Sequence, residues 1–439
     1  MRGFVKIFTY GCQMNDLDTQ KMYSMLFKKG WHPTTDTSRA DIIILNTCSV
    51  RQKAYEKAIS NLGRLKKYKE RKPSLIVAVM GCVAQQEGEN IIKRLPYLDI
   101  VLGTHQLHKL PDIIDGESRC KRPIVDTTFD HHILSMDVIP LKRFLTPPHK
   151  AYINIMQGCN NFCSYCIVPY VRGREISRDY KQILDEIENL SKNGVKEVFL
   201  LGQNVNSYRG GITFPELLKR INDIDGVERI RFTTSHPKDM SDELIECFGK
   251  LDKLCNHIHL PFQSGSNSVL KAMNRNYTRQ NYLRLIEKLK SVKADMAFSS
   301  DVMVGFPNET EQDFLQTMDL VNAVRFDNLY SFKYSPRPGT KALSMVDNVP
   351  IIEKQRRLSI LQEKQRQIIL SNNLARVGNV YDVIVDGISK RDPKAVYGRT
   401  TQNSIVNFKG SSEIIGSTVK VKIEKANPNS LTGELADGS

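Results

Sequence analysis

From residue 151 to residue 334 the chain repeats one pattern: a short apolar run, a polar or glycine-containing break, then a helical period. Apolar runs fall at 151–156, 197–201, 229–234, 256–260, 297–304 and 328–334. Helical periods lie between them at 180–192, 214–221, 239–250, 279–292 and 311–324. Near-continuous apolar strands separated by helices demand a parallel sheet whose faces are covered. The fold class is therefore α/β. Six strand–helix units fall short of the eight of a closed barrel, so a partial (β/α)6 barrel is expected. Its lateral opening would suit a macromolecular substrate. Small or polar residues follow each strand: Gly202-Gln203-Asn204, Ser235-His236, Gln263-Ser264-Gly265-Ser266, Gly305, and Ser335 to Gly339. Any loop is polar, but five such breaks on one rim match where these barrels build their sites. His236, ahead of Pro237, reads as a cap or loop histidine.

Directly after the first of these strands comes Gly158-Cys159-Asn160-Asn161-Phe162-Cys163-Ser164-Tyr165-Cys166. Thiols this close together on a loop suit a metal centre better than a core. The spacing lacks the second cysteine pair or histidine pair of a common zinc site. An iron–sulfur cube takes four ligands, so three thiolates would leave one iron open to bind a small molecule.

The region before it, residues 1–144, carries apolar runs at 5–10, 41–47, 75–80 and 98–102, alternating with helical periods at 18–29 and 52–69. This again predicts a parallel α/β sheet. Cys12, Cys48 and Cys82 each follow a strand, 36 and 34 residues apart, about one strand–helix repeat each. The C-terminal edge of an open parallel sheet is where such folds bind ligands. A lone cysteine is usually a buried packing residue. The repeated position favours a second three-thiolate set instead. Cys120 stands in a polar stretch and has no assigned role; Cys247 and Cys255 read as packing residues. Residues 146–148 read as a linker.

Residues 350–375 form one basic helix leading out of the barrel. Beyond it the composition turns to short strands at 380–385, 404–408 and 418–424 punctuated by glycine, which predicts a small β-barrel of the kind that binds nucleic acid. Lys390, Arg391, Arg399 and Lys409 are its candidate RNA contacts, with Tyr397 and Phe408 as stacking surfaces. The whole chain has a formal net charge of +15, which favours a polyanionic partner. The basic run at 64–72 reads as a solvated helix face. No apolar stretch approaches the roughly 20 residues of a membrane helix. With no signal peptide apparent at the start, a cytoplasmic protein without membrane contact is expected.

With Val168-Pro169-Tyr170-Val171-Arg172-Gly173-Arg174-Glu175, the cysteine loop resembles that of the radical S-adenosylmethionine methylthiotransferases. The resemblance spans nearly the whole chain. Thr9-Tyr10-Gly11-Cys12-Gln13-Met14-Asn15 and Leu201-Gly202-Gln203-Asn204-Val205-Asn206-Ser207-Tyr208 resemble the branch that modifies isopentenyl-adenosine in tRNA. The segments 259–265 and 300–307 are shared more widely. Phe262 and Asn308 depart from the family's more usual Val and Gly, away from any cluster ligand.

The resemblance implies three domains: residues 1–144 for an auxiliary cluster, 145–373 for the radical core, and 374–439 as a TRAM domain. It implies two [4Fe–4S] clusters, one on Cys159, Cys163 and Cys166, the other on Cys12, Cys48 and Cys82. S-adenosylmethionine would be consumed twice per turnover, once as methyl donor and once as radical source. Tyr165, Gln203, Asn204, Ser235 and Gln263 are the candidate contacts for it; no catalytic side chain beyond the cluster ligands is assigned. The implied reaction is methylthiolation at C2 of N6-isopentenyladenosine, position 37 of tRNA. The implied partners are the tRNA anticodon stem-loop, a low-potential electron donor and a sulfur source, with a monomeric enzyme. Two alternatives share some features: the same chemistry on threonylcarbamoyl-adenosine or a ribosomal-protein aspartate, and a non-catalytic iron–sulfur RNA-binding sensor.

Overall fold

The computed structural model describes residues 2–49, 52–116, 123–130, 148–390 and 392–436. Strands β1 (Gly3–Thr9), β2 (Trp31–Pro33), β3 (Ile42–Thr47), β4 (Ile76–Gly81), β5 (Ile100–Leu102) and β6 (Ile124–Asp126) make one sheet in the order β2-β1-β3-β4-β5-β6. Every neighbouring pair is parallel. Strand β3 is buried along its whole length, and its side chains alternate between two cores. Ile42 and Ile44 pack with Met22 and Leu26 of the helix Gln13–Lys28. Ile43 and Leu45 pack with Leu62 and Leu65 of the helix Gln52–Arg71 on the other face.

The apolar runs anticipate four of these strands. Strands β2 and β6 are additional; each has three residues at a sheet edge, too few to make an apolar run. The first helix begins at Gln13, not near 18, because its opening turn is polar and shows no apolar period. Chain direction across the sheet reverses between β1 and β3, so the helices after them leave to opposite faces. A crevice is left at the strand ends there. Cys12 and Cys48 stand at that point.

The central region contains β7 (Lys150–Asn154), the short antiparallel pair β8 (Met156–Gln157) and β9 (Ile176–Ser177), then β10 (Glu197–Leu201), β11 (Arg229–Phe232), β12 (His257–His259), β13 (Ala297–Val304) and β14 (Asn328–Lys333). The six principal strands form two parallel triplets, β7-β10-β11 and β12-β13-β14. A single bridge, Ile230 to Leu254, links them. The expected partial barrel is thus present with a seam in the middle. Outward residues such as Ile153, Val198, Leu200, Ile230 and Phe298 pack beneath the surrounding helices. The inner face of β7 and β10 is met by Met14 and Leu17 of the N-terminal domain's first helix, which close on Tyr152, Phe199 and Leu201.

The basic helix Ile351–Leu374 does not lead away from the barrel. It lies against β14, with Arg357 paired to Glu309 at 2.8 Å and Gln365 donating to the Phe326 carbonyl at 2.8 Å. Several of its polar residues are buried in those contacts, which a simple charge pattern does not reveal.

The last region is a closed five-stranded barrel, β15 (Val380–Ile388), β16 (Ala395–Thr400), β17 (Ile405–Lys409), β18 (Thr418–Asn427) and β19 (Ser430–Leu435), in the order β15-β16-β17-β19-β18. It docks beneath the central barrel, at the starts of its strands. Arg229 donates to the carbonyls of Arg399 (2.6 Å) and Asp382 (2.8 Å), and Arg231 to that of Thr400 (2.6 Å). Lys150 bridges Glu197 and Asp386 at 2.6 Å each. Among the described residues, no helix is long and apolar enough to cross a membrane.

Candidate functional site

Cys12 is the N-cap residue of the helix Gln13–Lys28, and Cys82 is the first residue of the helix Cys82–Glu87. Cys48 follows the last residue of β3. A parallel sheet aligns these strand ends side by side. Gly11 and Gly81, directly before two of the thiols, have φ of +134° and +88°. A Cβ on Gly11 would lie 2.5 Å from Cys48 Cβ, and one on Gly81 2.5 Å from the Thr47 carbonyl oxygen. A buried amide network fixes the same ends. Asn15 Nδ2 donates to Asn46 Oδ1 (3.1 Å) and to the Thr47 carbonyl (3.0 Å), while Asn46 Nδ2 donates to the Asn15 carbonyl (2.8 Å).

The three thiols converge. The Cys48 thiol hydrogen-bonds Cys12 and holds it down at about 6, against the cost of desolvation and with help from Arg172 and the Asn15 and Met14 amides. Burial pushes the Cys82 thiol up, while Arg172 and Cys12 act on it at close range. Cys48 and Cys82 are buried; Cys12 keeps an exposed surface. Arg337, from the loop after β14, lies within electrostatic reach of Cys48 and Glu56.

The second set occupies the loop after β8. Gly158 (φ +79°) starts it, and a Cβ there would meet the Arg174 carbonyl oxygen at 2.0 Å. Gln203 Oε1 accepts the Gly158 N–H at 2.5 Å. From the far side the turn after the helix Asn267–Ala272 clamps the loop. Asn274 Nδ2 donates to the carbonyls of Asn161 (3.2 Å) and Phe162 (3.1 Å), and Ser164 Oγ to that of Ala272 (2.8 Å). Buried Arg275 donates to Cys163 Sγ at 3.5 Å and to the Pro261 carbonyl at 2.7 Å. Burial raises Cys159, and burial with the neighbouring Cys163 raises Cys166 to about 12. Buried thiols that resist ionisation become ligands only beside a cation.

Asn274 and Arg275 escaped the sequence reading. The signal present was two left-handed asparagines, Asn274 (φ +58°) and Asn276 (φ +53°), flanking an arginine. Among the described residues no three His, Cys, Asp or Glu converge as a single ion would need. Thiolates on different irons of one cube have no such requirement.

The rim residues were expected to touch S-adenosylmethionine. Tyr165 is half-buried against Val269, Met273, Phe306 and Tyr334 beside the cysteines. Gln203 is already engaged on Gly158, so its carbonyl oxygen orders the cysteine loop. Asn204 donates to Asp239 at 2.7 Å, leaving its own Oδ1 buried and unpartnered. The buried Ser235 Oγ and His236 Nε2 also lack partners. His236 does act as a cap, accepting the Lys238 N–H on Nδ1 at 3.2 Å. That fixes the hydrogen on Nε2. Burial, with Arg275 and Lys238, pulls its pKa to about 2, so the ring stays neutral. Gln263 is nearly buried in a left-handed conformation (φ +63°). Orphaned polar atoms at Asn204, Ser235 and His236 beside a buried three-thiol loop fit a polar ligand chelated to iron.

The two cysteine sets share a wall. Ile167 and Val171, just beyond Cys166, pack directly on Cys82. Thr104 Oγ1 donates to the Val171 carbonyl at 2.6 Å, and His105 Nε2 meets the Arg172 carbonyl at 3.0 Å.

The candidate RNA contacts divide. Lys390 and Lys409 are exposed; Arg391 lies outside the described residues. One expectation needs correction. Phe408 is 2% exposed in the small barrel's core, because alternation turns it inward, and it offers no stacking face. Arg399 is partly exposed, its guanidinium near Asn403 (3.2 Å) and Asp386 (3.7 Å), and its carbonyl accepts Arg229. Cys247 and Cys255 are buried as expected, and Cys120 lies outside the described residues.

Residues 153–321 match the Radical SAM superfamily, residues 5–103 the uncharacterized protein family UPF0004, and residues 374–436 the TRAM domain. The chain is 49% identical over 435 residues to the tRNA-2-methylthio-N(6)-dimethylallyladenosine synthase of Syntrophus aciditrophicus (strain SB), covering 98% of this chain and 94% of that protein. The protein of the same name from Geotalea uraniireducens (strain Rf4) is 49% identical over 431 residues, covering 97% of each. Among solved structures, the radical S-adenosylmethionine methyltransferase TsrM from Kitasatospora setae, with cobalamin and a [4Fe-4S] cluster bound, aligns with a TM-score of 0.58. That alignment covers 78% of this chain and 77% of TsrM at 13% identity, which speaks to fold alone.

Proposed function

This chain belongs to the radical S-adenosylmethionine methylthiotransferases that act on tRNA, and from that membership we propose how its two cysteine sets divide the work. The activity is methylthiolation of N6-dimethylallyladenosine in tRNA, with S-adenosylmethionine and a [4Fe–4S] cluster as cofactors. In our reading Cys159, Cys163 and Cys166 hold the radical-generating cluster and Cys12, Cys48 and Cys82 a second one. When bound, the first supplies the electron that cleaves S-adenosylmethionine and the second presents the sulfur to be transferred.

The residues around them do the positioning. Arg275 places a buried positive charge beside Cys163, which offsets the charge of a thiolate ligand set. Asn204 Oδ1, Ser235 Oγ and His236 Nε2–H are free to take the polar groups of S-adenosylmethionine, with Tyr165 and Gln263 walling its site. Gln203 contributes through Gly158, by ordering the loop. Ile167 and Val171 keep water from the path between the two sites.

The target base, at C2 of the adenosine at position 37, would lie between the two sets. It must be turned out of its stack, and an anticodon-loop base is already partly unpaired. Exposed Lys390 and Lys409, with Arg391, would hold the anticodon stem-loop by its phosphates. A low-potential electron donor and a sulfur source would complete the turnover, and our reading takes the enzyme to be a cytoplasmic monomer. The domain boundaries in this reading are 1–144, 145–373 and 374–439.

The shared wall carries the proposal: a segment starting at the last radical-loop cysteine packs on a cysteine of the other set. The direct test of the substrate is the nucleoside profile of tRNA from a strain lacking this gene. N6-dimethylallyladenosine should accumulate and its 2-methylthio derivative disappear, returning when the gene is restored. Continued presence of the methylthio nucleoside would refute the assignment.

A further inference from the structure

Arg172 is six residues beyond Cys166, in the same short segment as the radical loop, yet its guanidinium does not turn toward that loop. It crosses the domain boundary. There it pairs with Asp18 at 2.9 Å and lies within electrostatic reach of the Cys82 and Cys12 thiols, the latter 3.5 Å from Asn15 Oδ1. Asn15 Oδ1 sits 3.4 Å from the same Nη2. The residue is 4% exposed. Its backbone is held independently, the carbonyl by His105 and the amide by the Val168 carbonyl at 2.7 Å.

A buried guanidinium is costly unless anionic partners surround it. Asp18 is one such partner. Cys12 and Cys82, as thiolates of a cluster, would supply the rest. A positive charge held beside ligand sulfur stabilises the more reduced, more negative state of a cluster and so raises its reduction potential. We propose that Arg172 is a positioning residue of the radical domain that tunes the cluster of the N-terminal domain, making that cluster's electrostatic environment complete only when the two domains are docked. This rests on the reading of Cys12, Cys48 and Cys82 as a cluster site.

The test uses the full chain with Cys159→Ala, Cys163→Ala and Cys166→Ala, so that iron reports the N-terminal site alone. Into this parent go Arg172→Gln, Arg172→Lys and, as a control cation in the same segment, Arg174→Gln. Iron and sulfide content and the midpoint potential, from EPR-monitored redox titration, are measured after anaerobic reconstitution. Arg172→Gln should shift the potential downward, Arg172→Lys should keep most of the parent value, and Arg174→Gln should leave it in place. An unshifted potential in a fully loaded Arg172→Gln protein would overturn the proposal. Should Arg172→Gln lose iron, retention by Arg172→Lys would support the charge role. Equal loss in both would reduce Arg172 to packing and overturn it. A parent that holds no iron at all would remove the second cluster itself, and the proposal with it.

Discussion

Glycine stands before two of the three N-terminal thiols because no other residue fits. Gly81 has φ +88° and ψ −155°, a region open almost only to glycine, and its missing Cβ leaves room for the Thr47 carbonyl. An alanine there costs about 1–3 kcal/mol in backbone strain alone, before the clash is relieved. Gly81→Ala should therefore cut the iron held by a chain lacking the radical-loop cysteines at least severalfold, while the melting temperature falls by only a few degrees. Full iron loading in that variant would show that Cys82 is not held by this turn. Cys12, Cys48 and Cys82 stood out in the sequence because their spacing repeats with the strand–helix unit, and Cys159, Cys163 and Cys166 because they crowd one loop. Arg172 and Arg275 were not. Each acts on a thiol far along the chain, Arg275 on Cys163 and Arg172 on Cys82, and such contacts leave no local pattern. Phe408 was misread because exposure of an aromatic depends on strand register, which one short apolar run does not set.

At the level of strands and helices, alternation identified the α/β regions and the number of barrel strands, while edge strands of three residues fell below its threshold. It also missed the ionic contact at the starts of the barrel strands. Glu197, Arg229 and Arg231 there look like ordinary charged residues bounding an apolar run. In the fold they are buried. Burial raises the Glu197 carboxyl, but Arg231 and Lys150 together outweigh that and hold it at about 2, below its ordinary 4.5. A carboxyl depressed on folding stabilises the native state above its unfolded pKa. That contribution is whole above pH 4.5 and fades as the pH falls toward about 2. Glu197→Gln should accordingly destabilise the iron-free chain near neutral pH by about 3–5 kcal/mol, since it leaves Arg231 buried without its counter-charge and Lys150 with Asp386 alone. Denaturation curves for variant and wild type should converge as the pH drops below 4.5. A gap that does not narrow in acid would assign the loss to packing instead.

Across the whole molecule, the N-terminal sheet and the small β-barrel sit at opposite ends of the central barrel. The N-terminal sheet brings its strand ends to the C-terminal rim, where Cys82 meets Ile167 and Val171, and Arg337 reaches Cys48. The small β-barrel covers the other end, with Arg229 and Arg231 inserted into its backbone carbonyls. A bound tRNA must therefore span from the small barrel to the rim if both grip it. This arrangement was not legible in the sequence, since composition gives domains but no docking faces. It gives the three-thiol loop its meaning: an open iron beside S-adenosylmethionine is useful for sulfur transfer only if a second open site faces it.

That claim is tested most directly by counting iron. Anaerobically reconstituted wild type should hold two clusters' worth of iron and sulfide, and the Cys159→Ala/Cys163→Ala/Cys166→Ala variant about half as much, provided the sites load independently. The variant should cleave no S-adenosylmethionine. Complementary loss of about half the iron in a Cys12→Ala/Cys48→Ala/Cys82→Ala variant that still cleaves S-adenosylmethionine completes the expected result. If removing either set leaves the full iron content, or removing the radical-loop set leaves none, the account of two separate and facing clusters is wrong.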